Sequence, residues 1–194
     1  MTDRTMTPQG GAEEPQGRAG PGAATVDSIV IAALDAGAFA PFGQVIDTQG
    51  DPDRIINQGL CGRYNDRAAM EFGTGRAGIS LFRAEPRALP LRLDMVERHP
   101  DGSQAFIPMS MDPFLVIVAP DHDGIPGRPL AFRTAPGQAI NLARGTWHGV
   151  LTPLHAPGLF AVVDRIGPGD NLQEHWFGAP YTVRLPTPAA PAAD

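Results

Sequence analysis

The chain has 194 residues, 42% of them hydrophobic and 19% charged, enough for one sizeable core and too apolar for a wholly disordered protein. Its net charge of -6 argues against a nucleic-acid or anionic-membrane partner, and no apolar run reaches the length of a membrane span. All 15 basic residues are Arg, which excludes lysine Schiff-base chemistry and leaves bidentate recognition of carboxylates open.

Residues 1–25 are rich in Gly, Pro and small side chains with no apolar period, so they read as a disordered tail. Order is expected from Val26, whose neighbours Ile29, Val30 and Ile31 suggest a first strand. A short helical turn over Leu34–Ala40 follows, with Asp35 as N-cap and Pro41 and Gly43 as its stop. Gln44–Ile46 reads as a strand and Asp51-Pro52-Asp53 as a turn. The mixed segment from Ile55 to Tyr64 carries Asn57, Arg63 and Tyr64 on what could be a polar strand face. Cys61 within it is the single cysteine, so no internal disulfide is available. With no signal-like segment near the start, a cytoplasmic protein is expected.

Ile79–Arg83 is a compact strand, and the alternation of Leu91, Leu93 and Met95 leads into Glu97 and His99. Side chains two apart share a strand face, so Glu97 and His99 should stand together at the end of an inward apolar stripe, with Arg98 turned away. After the turn Pro100–Ser103, Gln104 opens the strand Ala105–Pro108, which could return beside the first. Phe114–Ala119 is apolar without interruption, as for a strand covered on both faces. Leu130–Arg133, Gln138–Leu142, Gly158–Asp164 and His175–Val183 supply further strands, with a turn at Arg144-Gly145 before His148. The chain from 186 to 194 reads as a second flexible tail. Many short strands, 23 Gly, 21 Pro and no long amphipathic helix indicate a mainly β domain over 26–185, an antiparallel sandwich or barrel.

The spacing around His148 resembles the second cupin signature. Gly137 is followed by five residues, then Ala143 where proline is usual, Arg144, Gly145, two residues and His148. On the first signature, Glu97 and His99 stand for its two histidines and Gln104 for its glutamate, without the leading glycine. The resemblance implies a cupin-like antiparallel β-sandwich, a jelly roll with one or two short helices. Its metal set would become Glu97, His99, Gln104 and His148. Imidazole and carboxylate suit a divalent ion such as nickel, manganese or zinc, whereas a neutral Gln carbonyl is a weaker ligand, so no cofactor is fixed.

A narrower resemblance rests on Ala40-Pro41-Phe42-Gly43-Gln44-Val45-Ile46, Ile56-Asn57-Gln58-Gly59, Arg63-Tyr64, Glu97-Arg98-His99-Pro100, Ser103 to Pro108, Gly145-Thr146-Trp147-His148 and Val163-Asp164-Arg165. In this order they resemble the ureidoglycolate lyases, homodimeric cupin-like enzymes of allantoin breakdown in purine catabolism. That family usually has paired histidines after the Trp, whereas Gly149 follows His148 here. The resemblance implies cleavage of ureidoglycolate to glyoxylate and urea. Such a reaction needs a base for the hydroxyl proton and an acid for the departing nitrogen. His99, His148 and Glu97 are the candidates for this work. Arg63, with Asn57 and Tyr64, is the candidate for the substrate carboxylate, and Gln104 and Asp164 for the ureido group. Two alternatives stay open: a metal-dependent cupin hydrolase or isomerase on another small polar acid, and a cupin that binds a small molecule without turning it over.

Overall fold

The computed structural model describes residues 27–187, so both expected tails lie almost wholly outside the described residues. In chain order the strands begin with β1 (Ser28–Val30), β2 (Ala32–Ala33), β3 (Gly43–Ile46), β4 (Arg54–Ile56), β5 (Cys61–Arg63) and β6 (Arg76–Arg83). The middle of the chain gives β7 (Leu91–Arg98), β8 (Gln104–Pro108), β9 (Phe114–Ala119), β10 (Asp121–His122), β11 (Ile125–Pro126) and β12 (Leu130–Arg133). The last are β13 (Ala139–Leu142), β14 (Trp147–His148), β15 (Thr152–Pro153), β16 (Leu159–Ile166) and β17 (Gln173–Arg184). A short helix, α1 (Ala36–Phe39), starts where Asp35 accepts a hydrogen bond from the Ala38 amide, the cap that the sequence indicates.

Two sheets carry the fold. One runs β1-β17-β7-β14-β9-β12-β2, with β15 on β9, and the other runs β3-β13-β8-β16-β6. The first is barrel-like because its two edges are consecutive in the chain: β1 pairs parallel with β17, and β2, one residue on, pairs parallel with β12. The mainly β, cupin-like expectation is borne out, and these two parallel pairings are what an all-antiparallel sandwich would lack.

Strand β9 explains its own composition. Phe114, Val116 and Val118 face the core between the sheets with Phe39, Phe106, Ile140 and Val162. Leu115 and Ile117 face the barrel interior with Ile29, Ile31, Leu93 and Val183. Each such side chain contributes about 1.5–3 kcal/mol by leaving water, so an apolar residue is favoured at every position.

Two sequence expectations need correcting. Gln104 does not return beside Glu97, because β8 pairs with β13 and β16 in the other sheet while β7 pairs with β17 and β14. Both links, 99–103 and 143–146, cross between sheets, and they are tied together by the Gly145 amide donating to the His99 carbonyl (3.0 Å). The stripe along β7 also breaks. Leu93 and Val96, three apart, both bury on the barrel side, Val96 against Ala119 and Trp147. Between Met95 and Leu93 stands only Asp94, whereas Phe177–Pro180 intervene between their partners Trp176 and Tyr181. This irregularity reverses the alternation. Glu97 therefore pairs with His148, which lies opposite Val118 on the inter-sheet side.

Candidate active site

The reversal in β7 and the entry of β14 bring Glu97, His99 and His148 together. One donor atom of each lies within 4.8 Å of the other two, and the two imidazole centroids are 5.3 Å apart. The backbone sets both ring orientations. His99 Nδ1 donates to the Asn171 carbonyl (2.6 Å) and His148 Nδ1 to the Gly149 carbonyl (3.0 Å). A carbonyl only accepts, so each ring keeps its proton on Nδ1 and presents the lone pair of Nε2. Among the described residues the buried His148 Nε2 has no hydrogen-bond partner. Carbonyls that fix both tautomers, beside a carboxylate whose oxygen clusters with one donor atom of each ring, fit a divalent ion.

Burial pushes the Glu97 carboxyl above the usual range; His99 opposes this and Glu174, directly across the strand pair, adds to it. Burial lowers His148 to about 4, against a smaller opposing effect of the Gly149 carbonyl. At neutral pH His148 is therefore an uncharged imidazole. In the metal-free protein this has a stability consequence with a definite sign. Between pH 4 and 6.5 the unfolded chain holds a proton on this ring that the folded chain does not, so stability rises with pH through that window. Acidification from pH 7 to below 4 should remove about 3 kcal/mol through this group. Urea unfolding in chelator at several pH values checks it: a His148→Gln protein should show a shallower slope there, and an unchanged slope would exclude the ring as the source.

Gln104 and Asp164 meet on the facing sheet, where Gln104 Nε2 donates to Asp164 Oδ2 at 3.4 Å. Among the described residues the buried acceptors Gln104 Oε1 and Asp164 Oδ1 have no hydrogen-bond partner. At the turn that follows, Arg165 Nη2 donates to the Pro168 carbonyl (3.0 Å). Arg98 is turned away, as strand parity indicates. Its guanidinium bonds Gln173 and Asp121 and lies 4.4 Å from the Trp147 ring centroid. Trp147 Nε1 donates to the same Asp121 (2.7 Å), so this cluster clamps the back of β14.

Asn57, Arg63 and Tyr64 are not brought to the trio within one chain. They stand on the separate β4–β5 hairpin and its exit, where the Tyr64 hydroxyl donates to the Gly50 carbonyl. Sequence reasoning missed Asn171 and Glu174. Asn171 acts through its main chain, which carries no residue signature, and Glu174 becomes a neighbour of Glu97 only through the register of β17. Glu97 and Glu174 also line a surface cleft of about 350 Å³ with Arg87, Arg92, Val150 and Trp176.

This geometry has counterparts in sequence. The family profile described as ureidoglycolate lyase matches residues 26–184. The chain belongs to the ureidoglycolate lyase family. A ureidoglycolate lyase of Rhodobacter capsulatus is 59% identical over 159 residues, covering 81% of this chain and 99% of the relative. Ureidoglycolate lyase 2 of Rhizobium meliloti is 52% identical, covering 80% and 96%, and the ureidoglycolate lyase of a Chelativorans species is 51% identical, covering 81% and 97%. The match spans both sheets of the ureidoglycolate lyase domain and every residue of the site.

Proposed function

We propose that this chain is a carbon-nitrogen lyase that cleaves ureidoglycolate to glyoxylate and urea in allantoin and purine catabolism. The observation that carries the reading is the convergence of Glu97, His99 and His148, one donor atom of each within 4.8 Å of the others, in a chain that shares more than half its domain sequence with relatives named for this reaction.

Ureidoglycolate has one carbon bearing a hydroxyl, a carboxylate and a urea nitrogen. Cleavage forms the C=O bond as the hydroxyl proton leaves, and breaks the C–N bond as that nitrogen gains a proton. His148, an uncharged imidazole with an unpartnered Nε2, accepts the hydroxyl's hydrogen bond and positions it, and the proton passes to His99 Nε2. Glu97, whose raised pKa favours its protonated form, gives a proton to the departing nitrogen. Transfer from His99 to Glu97 then restores the starting state. Gln104 and Asp164 accept hydrogen bonds from the ureido NH2 through their two free oxygens. Their anchoring of that group orients the C–N bond toward Glu97.

A second reading of the same side chains is favoured by the carbonyl-locked tautomers. Glu97, His99 and His148, with Gln104 as the weaker fourth ligand, would hold a divalent ion such as nickel, manganese or zinc. Such an ion supplies acidification of the bound hydroxyl. Purified, chelator-treated protein given fresh ureidoglycolate decides between them, with urea, ammonia and glyoxylate followed against the spontaneous background. Equal urea and glyoxylate without added ion supports the side-chain route. Recovery only with one equivalent of ion per chain, lost in His99→Ala, supports the metal. Ammonia in place of urea would sink the lyase reading.

The acidic chain, with Cys61 free and no membrane-length apolar helix among the described residues, fits a cytoplasmic enzyme. We also place it as a homodimer, in line with the resemblance.

A further inference from the structure

Among the described residues the strands of the β4–β5 hairpin pair only with each other. Its apolar side chains face outward, with Leu60 88% and Ile55 56% exposed. Arg54 and Arg63 stand directly opposite each other in its register, and among the described residues neither guanidinium has an ion-pair or side-chain hydrogen-bond partner. Like charges facing across a strand pair are unfavourable unless something of opposite sign meets them. The site shows the converse. Glu97 faces Glu174 across β7 and β17, and among the described residues neither carboxylate has an ion-pair partner. A substrate carboxylate needs a fixed cation there. Within one chain the cleft beside Glu97 offers Arg92, already bound to Asp94 at 2.8 Å, and the exposed Arg87.

We infer that the site is completed by a second copy of this chain, whose β4–β5 hairpin carries Arg63 to the Glu97–Glu174 mouth and holds the substrate carboxylate. The paired arginines of one copy meet the acidic mouth of the other, where Glu174 and the substrate carboxylate carry the negative charge. The outer face of the five-stranded sheet supplies the contact area. Leu81 and Ile107 share one row across β6, β16 and β8, beside Ile79 at 77% exposure. A groove of about 630 Å³ joins Ile107 and Met111 on this face to Tyr64 and Arg67 at the hairpin's exit. With Ile55 and Leu60 these exposed side chains offer a second copy an apolar surface to cover. By two-fold symmetry each copy gives one hairpin and receives one.

The inference rests on the proposed lyase reading for its substrate but not for its pairing, so two readouts separate them. The first is physical: co-expressed copies with two different tags should co-purify, and Leu60→Asp should abolish this while each chain still melts cooperatively. Wild-type copies that never co-purify would overturn the inference whatever the activity. The second uses ureidoglycolate. Arg63→Ala should raise KM at least tenfold, and His148→Gln should be nearly inactive. A purified mixed pair of these two defective chains has one intact site in two, so it should regain roughly half the wild-type kcat/KM. No recovery in the mixed pair, or a KM that responds to Arg87→Ala and not to Arg63→Ala, overturns it.

Discussion

Replacing His148 by Gln should leave a folded protein that turns over at least about a hundredfold more slowly, the scale of losing one positioned proton-handling or ligand group. The ring is buried beside Val118 and fills space between the sheets, so truncation to alanine would combine a chemical loss with a cavity. Gln is close in volume and still reaches the Gly149 carbonyl with an amide. What it lacks is the Nε2 lone pair held opposite His99 and Glu97. The informative measurement is kcat beside a thermal melt. A melt within a few degrees of wild type with kcat down by two orders of magnitude assigns the loss to chemistry; wild-type kcat would remove His148 from the mechanism.

Gly43→Ala should be the most damaging small substitution for stability, costing about 3 kcal/mol or more. At φ +151° Gly43 begins β3 where its Cα passes the neighbouring strand, and a Cβ there would lie 1.8 Å from the Asn141 carbonyl oxygen. The obstacle is main chain, so no rotamer relieves it. Relief requires β3 to separate from β13, whose pairing at Leu142 abuts the crossover leading to His148. Gly178→Ala is the control, since a Cβ there meets nothing within 4 Å. Urea unfolding of both variants checks the claim, and equal midpoints would refute it.

The shared clamp behind the site is a reminder of how little of this is local. Arg98 was readable as pointing away from Glu97 because strand alternation holds over adjacent residues. Its partners Asp121, Gln173 and Trp147 come from three distant segments. The stripe from Leu91 to His99 failed for a related reason. Alternation persists only while two strands keep register, and β17 inserts Phe177–Pro180 against a single residue of β7.

By itself the sequence indicated the strand-rich class, the cap at Asp35, the doubly covered β9 and the grouping of Glu97, His99 and His148. Each of these depends on a short-range period, a turn residue or a motif spacing, which are properties of neighbouring residues. Only the tertiary structure decided that Gln104 belongs to the opposite sheet with Asp164, that carbonyls of Asn171 and Gly149 fix both imidazole tautomers, and that Arg63 rides on a hairpin apart from the trio. Those outcomes depend on which strands pair and in which register, and on main-chain groups that every residue carries alike, so no side-chain pattern along the chain could encode them visibly.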